Sequence, residues 1–141
     1  MNIFQTLRNK EKGLYVNFKI RTVDDDNQEA PDKNCDGYWP SLNPNDAGYI
    51  GENPKKSFDQ QMEEARQRLR DWELGRWNYI GVYAVAQIHD HCGGCITTYT
   101  LESSGLWGIE SDNDDYIQEV FKEQCDELRD VLGRMNPVNY I

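Results

Sequence analysis

The feature that most constrains the fold is the run "WNYIGVYAVAQI" at residues 77–88, where β-branched and aromatic side chains dominate. Side chains of these types favour the pleated surface of a sheet, so the run predicts a central strand. A Gly-Gly pair at residues 93–94 then fits a tight hairpin turn. The stretch "ITTYTLES", residues 96–103, is predicted to return as the paired strand, and "LWGI", residues 106–109, as a third short strand.

A further strand is predicted earlier in the chain, from the alternation of apolar and polar residues in "LYVNFKIRTV", residues 14–23. Successive side chains of a strand point to opposite faces of its sheet. The alternation therefore predicts a half-buried strand whose core-facing side chains are Leu14, Val16, Phe18 and Ile20.

Apolar spacings of three and four predict a helix over residues 57–75. Ser57 and Gln60 stand three residues apart, as in a capping box, and Gly75 occupies the position expected of a C′ glycine. The apolar stripe between them comprises Phe58, Met62, Ala65, Leu69 and Trp72. A short docking helix is also predicted at residues 2–8.

A last helix is predicted to follow an N-cap at Asp112, with Asp114 and Asp115 in a first turn that favours negative charge. Its inward face is predicted to carry Ile117, Val120, Phe121, Cys125, Leu128, Val131 and Leu132. Its outer face carries Glu119, Glu123, Asp126, Glu127 and Asp130. Capping cannot account for these five acids, because the dipole acts only within about one turn of the helix end.

These elements predict a single domain over residues 1–141, of the α+β class. We expect two layers: a mostly antiparallel sheet of three to four strands, with both amphipathic helices on one face. Residues 24–56 show no period and hold four of the five prolines, so they predict a long irregular loop. Loops of this length are usually functional or disordered. Within this loop, Trp39 and Tyr49 are candidates for contact with a ligand or a partner.

The charge of the chain is −10 and its pI is near 4.6, which argues against direct binding to nucleic acid or anionic lipid. An electrostatic partner is therefore expected to be basic. Residues 110–130 contain nine acidic and two basic residues, so this one segment contributes −7 of the total. Candidate partner-binding residues are Asp115, Glu119, Glu123, Asp126, Glu127 and Asp130. No apolar run suggests a membrane span or a signal peptide, so we expect a cytoplasmic protein.

The hairpin sequence "HDHCGGC" brings four residues of zinc-ligand type together: His89, His91, Cys92 and Cys95. Three interpretations remain open from the sequence: a zinc site, a reversible disulfide between Cys92 and Cys95, and a plain turn whose glycines satisfy the backbone geometry. Cys35 has no obvious partner, and Cys125 is interpreted as a small buried hydrophobic residue.

Motifs of catalysis and of calcium binding are not found. The aspartate clusters at residues 24–29 and 111–115 lack the glycine and glutamate positions of a hand-type calcium loop. No serine or cysteine stands in a recognisable nucleophile setting. The sequence therefore predicts a protein that is not an enzyme.

Three runs carry a resemblance: "CDGYWPSLNPNDAGYIGENPKKSFDQQMEEA", "WNYIGVYAVA" and "SSGLWGIESDNDDYIQEVFKEQ". They resemble a family of small acidic proteins of tailed phages, prophages and related mobile elements, with "GLWGIESD" as the most distinctive piece. The family has no established activity, so no catalytic residue is implied. The resemblance implies a protein that acts on host machinery in the bacterial cytoplasm, such as an inhibitor of a restriction or CRISPR complex, through its acidic helix. One alternative is a small-molecule or metal-binding module that uses the aromatic residues of the long loop or the Cys/His hairpin. Another is a phage structural or assembly factor.

Overall fold

The computed structural model describes residues 2–8, 10–34, 39–135 and 137–141, without the side chain of Phe4. The elements, in chain order, are α1 (Ile3–Leu7), β1 (Gly13–Asp24), α2 (Phe58–Glu73), β2 (Tyr79–His91), β3 (Ile96–Glu102), β4 (Leu106–Glu110), α3 (Asp114–Leu132) and β5 (Val138–Tyr140). The predicted α+β class is confirmed, and the predicted strands and helices are all present.

The described strands form one open sheet in the order β3-β2-β1-β5, and β4 also pairs with β2. β1 and β2 run antiparallel over their full length, from the pair Gly13 and His91 to the pair Asp24 and Ile80. β5 lies parallel to β1 and makes the sheet mixed. The prediction of three to four strands was therefore too low. β5 is not predictable from the sequence because three residues are too few to display a period of two.

The core lies between α3 and one face of the sheet. Val16 of β1 and Ala86 of β2 pack with Leu128 of α3, and Ile80 of β2 packs with Val120. The alternation predicted for β1 is confirmed, since Leu14, Val16, Phe18 and Ile20 all belong to these clusters or pack against them. The predicted inward face of α3 is correct except at Val131, which is 44% exposed because it lies beyond the edge of the covered face.

Helix α2 does not share this face, so the prediction of two helices on one face is wrong. Neither core cluster of the described residues contains a residue of α2. Its Arg68 instead contacts Trp77 and Glu110. Glu110 pairs with Tyr79, and both side chains point away from the face that Ile80 and Ile109 present to α3. Trp72 of α2 lines a cavity together with Trp77 and Tyr79. This part of α2 therefore lies towards the opposite side of the sheet, near the start of β2.

The ends of α2 follow the prediction closely. Ser57 Oγ accepts from the amide of Gln60 at 3.2 Å, and Gln60 Oε1 accepts from the amide of Ser57 at 3.1 Å. Gly75 follows the C-cap Leu74 with φ of 72°, a left-handed conformation that favours glycine.

The N-cap of α3 differs from the prediction: it is Asn113, whose Oδ1 accepts from the amide of Tyr116. Asp112 is not the cap because its carboxylate binds Arg68.

The long segment between β1 and α2 carries, in its described parts 25–34 and 39–57, only turns and one isolated bridge between Ser41 and Tyr49. Asp25 anchors its beginning. The Asp25 carboxylate is buried and accepts from the Gly108 amide and the Gln28 side chain, each at 2.9 Å. The segment is thereby fixed to β4. Cys35, named above, lies outside the described residues.

Candidate functional site

The outer surface of α3 carries a row of carboxylates that we call the acidic stripe, formed by Glu119, Glu123, Asp126 and Asp130. All four residues are exposed. Because an α-helix turns 100° per residue, they fall within an arc of about 60° and span about 16 Å of helix. The opposite face of α3 is held by five buried residues, Ile117, Val120, Cys125, Leu128 and Leu132. The stripe is therefore presented on a helix fixed by its own core packing.

Within the described residues the stripe forms one ion pair, and Lys122, three residues after Glu119 on the same helix, forms none. Arg129 binds Asp126 at 2.9 Å, but its guanidinium also lies over the rings of Phe18 and Tyr140, so it is directed towards the sheet. Among the described residues, Glu119, Glu123 and Asp130 have no ion-pair partner. Three unpaired carboxylates on one helix face create a local negative field that a cationic surface would relieve.

Two of the partner-binding residues predicted from the sequence, Asp115 and Glu127, do not belong to the acidic stripe. Asp115 is exposed on the same side of α3, in the first turn, where its charge also favours the helix dipole. Glu127 is turned towards the β3–β4 connection, where its carboxylate accepts from the amide and the hydroxyl of Ser104. Glu127 therefore has a structural role, which no local sequence pattern indicates because Ser104 is 23 residues away.

Arg68 neutralises a separate group of acids at the start of α3. Its guanidinium donates to both carboxylate oxygens of Asp112 and lies 3.4 Å from Glu110. The hydrogen bond from Arg68 lowers the pKa of Asp112, and the same bond raises the pKa of Arg68. This end of the acidic segment is consequently a paired contact between α2 and the start of α3, whereas three of the four stripe residues have no ion-pair partner among the described residues.

The face of the sheet opposite α3 holds a polar network around His89, which is only 4% exposed. His89 Nε2 lies 2.8 Å from Asn17 Oδ1, and Nδ1 lies 3.0 Å from Thr98 Oγ1. Asn17 donates in turn to Gln87 Oε1 at 3.0 Å. Burial, and then the charge of Lys19, lower the pKa of His89, so the ring is neutral at physiological pH. The network lines an open cavity of about 520 Å³.

The four residues of the Cys/His hairpin do not converge on one point. His89 uses both ring nitrogens within its network, and His91 packs edge-on against Tyr15. Cys92 and Cys95 face each other across the turn with their sulfurs 2.8 Å apart. Within the described residues no group of three or more His, Cys, Asp or Glu side chains is placed to hold a metal ion. The geometry brings together the two thiols and separates them from the histidines.

Residues 39–50, which we call the aromatic loop, form one wall of a second open cavity of about 390 Å³. The cavity is lined by Trp39 together with Asn34, Pro40, Ser41, Asp46, Ala47 and Gly48. Tyr49 is held on the loop by its bridge to Ser41. Pro40 also lines a groove with Ala65 and Arg68, so the loop lies against α2. The structure thus places Trp39 at a cavity wall and Tyr49 in the loop's own framework.

Comparisons with protein-family models, with curated proteins and with solved structures found no match for this chain. Its function must therefore be argued from its own surfaces.

Sequence reasoning missed the residues that decide which acids are available, namely Arg68 and Ser104. Both act over long sequence separations, 44 residues for Arg68 with Asp112 and 23 for Ser104 with Glu127. A single sequence carries no local signal for such pairs. In the part of the chain that the structure describes, no helix combines the length and the apolar character that a membrane crossing requires.

Proposed function

We propose that this chain is a non-enzymatic binding protein of a phage or mobile element that docks its acidic stripe on a basic host protein. The observation that carries the proposal is three exposed carboxylates on one face of α3, Glu119, Glu123 and Asp130, which have no ion-pair partner in the part of the chain that the structure describes. The resemblance of the sequence to small acidic phage proteins supports the context.

The partner is a nucleic-acid-binding complex of host defence, of the restriction or CRISPR kind. Such complexes bind phosphates through rows of Lys and Arg, and the stripe offers carboxylates to the same cations. Long-range attraction would steer the encounter, and binding would weaken as salt screens the charges. With a length of about 16 Å, the stripe covers only a few phosphate spacings. The mechanism is therefore local competition for part of a groove, without imitation of a whole duplex.

Competition with DNA tests this function. The tagged protein is used to isolate partners from a bacterial lysate at low salt, and a short duplex DNA is then added. We expect the captured protein to be released by the duplex and to bind that duplex when purified. Capture of proteins that neither bind nucleic acid nor respond to added duplex would contradict the proposal.

A second candidate function is binding of a small molecule in the aromatic loop, favoured by the cavity of about 390 Å³ beside Trp39. Ligand sites are usually concave and carry aromatic side chains. Trp39→Ala would then abolish binding of a ligand that co-purifies with the wild type, as measured by mass spectrometry of the denatured protein. Identical small-molecule content in both proteins would exclude this function.

A further inference from the structure

We propose that Cys92 and Cys95 form a dithiol site that reacts with low-molecular-weight disulfides and closes reversibly to an intramolecular disulfide. This activity is independent of the acidic stripe, which lies on another element. The site consists of the β2–β3 turn, and both cysteines are exposed.

The turn holds the two cysteines in a geometry that suits closure. The amide of Cys92 donates to the carbonyl of Cys95 at 3.2 Å, so the two residues form a hydrogen-bonded cross-strand pair. The Cα atoms of such a pair lie about 5.5 Å apart, within the range that a disulfide spans. The sulfurs are already 2.8 Å apart, so only a small movement of the side chains is needed.

The two thiols are not equivalent. The hydrogen bond with Cys92 is the largest cause of a raised pKa at Cys95, followed by the charge of Cys92, by burial and by the charge of Asp90. A raised pKa disfavours the thiolate of Cys95, which assigns the first attack to Cys92 and the resolution of the intermediate to Cys95.

A cation lies against the same turn. Gly93 has φ of 89°, and a Cβ built on it would meet Lys12 Cε at 2.5 Å and Lys12 Nζ at 3.2 Å. The Lys12 side chain thus packs against Gly93, the residue that follows Cys92. Glycine at position 93 both permits the turn and leaves room for this lysine.

The reaction balances in two exchange steps. The Cys92 thiolate attacks one sulfur of a small disulfide RSSR, forming a mixed disulfide and releasing RS⁻. Cys95 then loses its proton to solvent and attacks Cys92 Sγ, forming the Cys92–Cys95 bond and releasing a second RS⁻. The two thiols lose two electrons and two protons, and RSSR is reduced to two RSH. Excess RSH reverses both steps.

Exposure of the pair favours reversibility, since exposed disulfides are more easily reduced than buried structural ones. Cys125 differs from this exposed pair, because it lies on the buried face of α3 and is only 5% exposed. Burial raises the pKa of Cys125, which disfavours the reactive thiolate. Reaction of the folded protein is therefore confined to the turn once Cys35 is removed.

The experiment uses full-length protein carrying Cys35→Ser, treated with glutathione disulfide and analysed by mass spectrometry with peptide mapping. We expect a loss of two hydrogen atoms located at residues 92 and 95, no lasting adduct, and recovery of both thiols with excess glutathione. Cys95→Ser should trap glutathione on Cys92, and Cys92→Ser should react several-fold more slowly.

Stable glutathione adducts on both cysteines, or an unreacted pair under conditions that oxidise a free cysteine peptide, would overturn the proposal. Because both residues lie in an exposed turn, circular dichroism serves to confirm folding of each variant. The result with the two native cysteines decides the question even if a variant fails to fold.

Discussion

Glu127 and Ser104 are joined by hydrogen bonds from both the amide and the hydroxyl of the serine, the first at 3.1 Å and the second at 2.8 Å. The pair ties α3 to the connection between β3 and β4. Glu127 follows Asp126 of the acidic stripe in the sequence, but its carboxylate binds Ser104 within the fold. The structure thus divides a run of acids into one that stabilises the fold and several that remain available to a partner.

Removal of the Glu127 carboxylate should therefore affect stability, because a charge-assisted bond to a backbone amide is lost. Glu127→Ala is expected to lower the free energy of unfolding by about 1 kcal/mol. Glu123→Ala, on the same helix and without a described ion-pair partner, should change it by no more than about 0.5 kcal/mol. Urea denaturation of the two variants makes the comparison. Equal losses in the two variants would show that the contact between Glu127 and Ser104 does not stabilise the fold.

The contact between Arg68 and Asp112 should make stability depend on acidic pH. The hydrogen bond from Arg68 lowers the pKa of Asp112 in the folded state. A carboxylate with a lowered folded pKa stabilises fully above its unfolded pKa of about 3.9 and loses this contribution as pH falls through the folded pKa. Because the Asp112 side chain is 47% exposed, we expect the contribution to be at most about 1 kcal/mol.

Asp112→Asn provides the measurement for this contact. The difference in unfolding free energy between wild type and Asp112→Asn should be constant near neutral pH and should shrink once the pH falls below about 4. A difference that stays constant through the acid range would contradict the role of the Asp112 charge.

The His89 network should make the free energy of unfolding depend on pH in a second range, above that of Asp112. Burial lowers the pKa of His89 in the folded state, whereas the unfolded ring titrates near about 6.5. Stability is therefore full above pH of about 6.5 and declines as pH falls towards the folded pKa, because the unfolded state binds the proton first. His89→Gln should remove this decline, as measured by urea denaturation through this range. A His89 ring that titrates above 6.5 by NMR would contradict the sign.

Packing of α3 on the sheet predicts a large contrast between two neighbouring apolar residues. Leu128 is 2% exposed within the core, and Val131 is 44% exposed. Leu128→Ala should cost about 2 to 5 kcal/mol through lost contacts and a cavity. Val131→Ala should cost no more than about 0.5 kcal/mol. Thermal unfolding of both variants tests this, and similar losses would place Val131 in the core after all.

The sequence predicted the local elements because each is encoded by a short-range pattern. The alternation of residues 14–23 identified β1 and its buried face, and the capping box of Ser57 and Gln60 identified the start of α2. Such patterns state which face of an element is apolar. They do not state which surface packs against it, and this is why α2 was assigned to the wrong side of the sheet.

The candidate site was predictable to the same extent. The period of α3 placed Glu119, Glu123 and Asp130 on its outer face, where the structure has them. Other acids of this segment are bound by residues from distant parts of the chain, as Asp112 is bound by Arg68. Such pairs are not visible in a local pattern. The polar network was missed for the same reason, since Asn17 and His89 are 72 residues apart.

The central claim is that the acidic stripe is an interaction surface, and partner capture by two charge-reversed proteins tests it most directly. One protein carries Glu119→Lys, Glu123→Lys and Asp130→Lys. The other carries Glu29→Lys, Glu52→Lys and Glu73→Lys, which reverses the same number of exposed acids away from α3. At low salt we expect the wild type and the second protein to capture the same basic protein and the stripe variant to capture none. Equal capture by the stripe variant, folded by circular dichroism, would contradict the account.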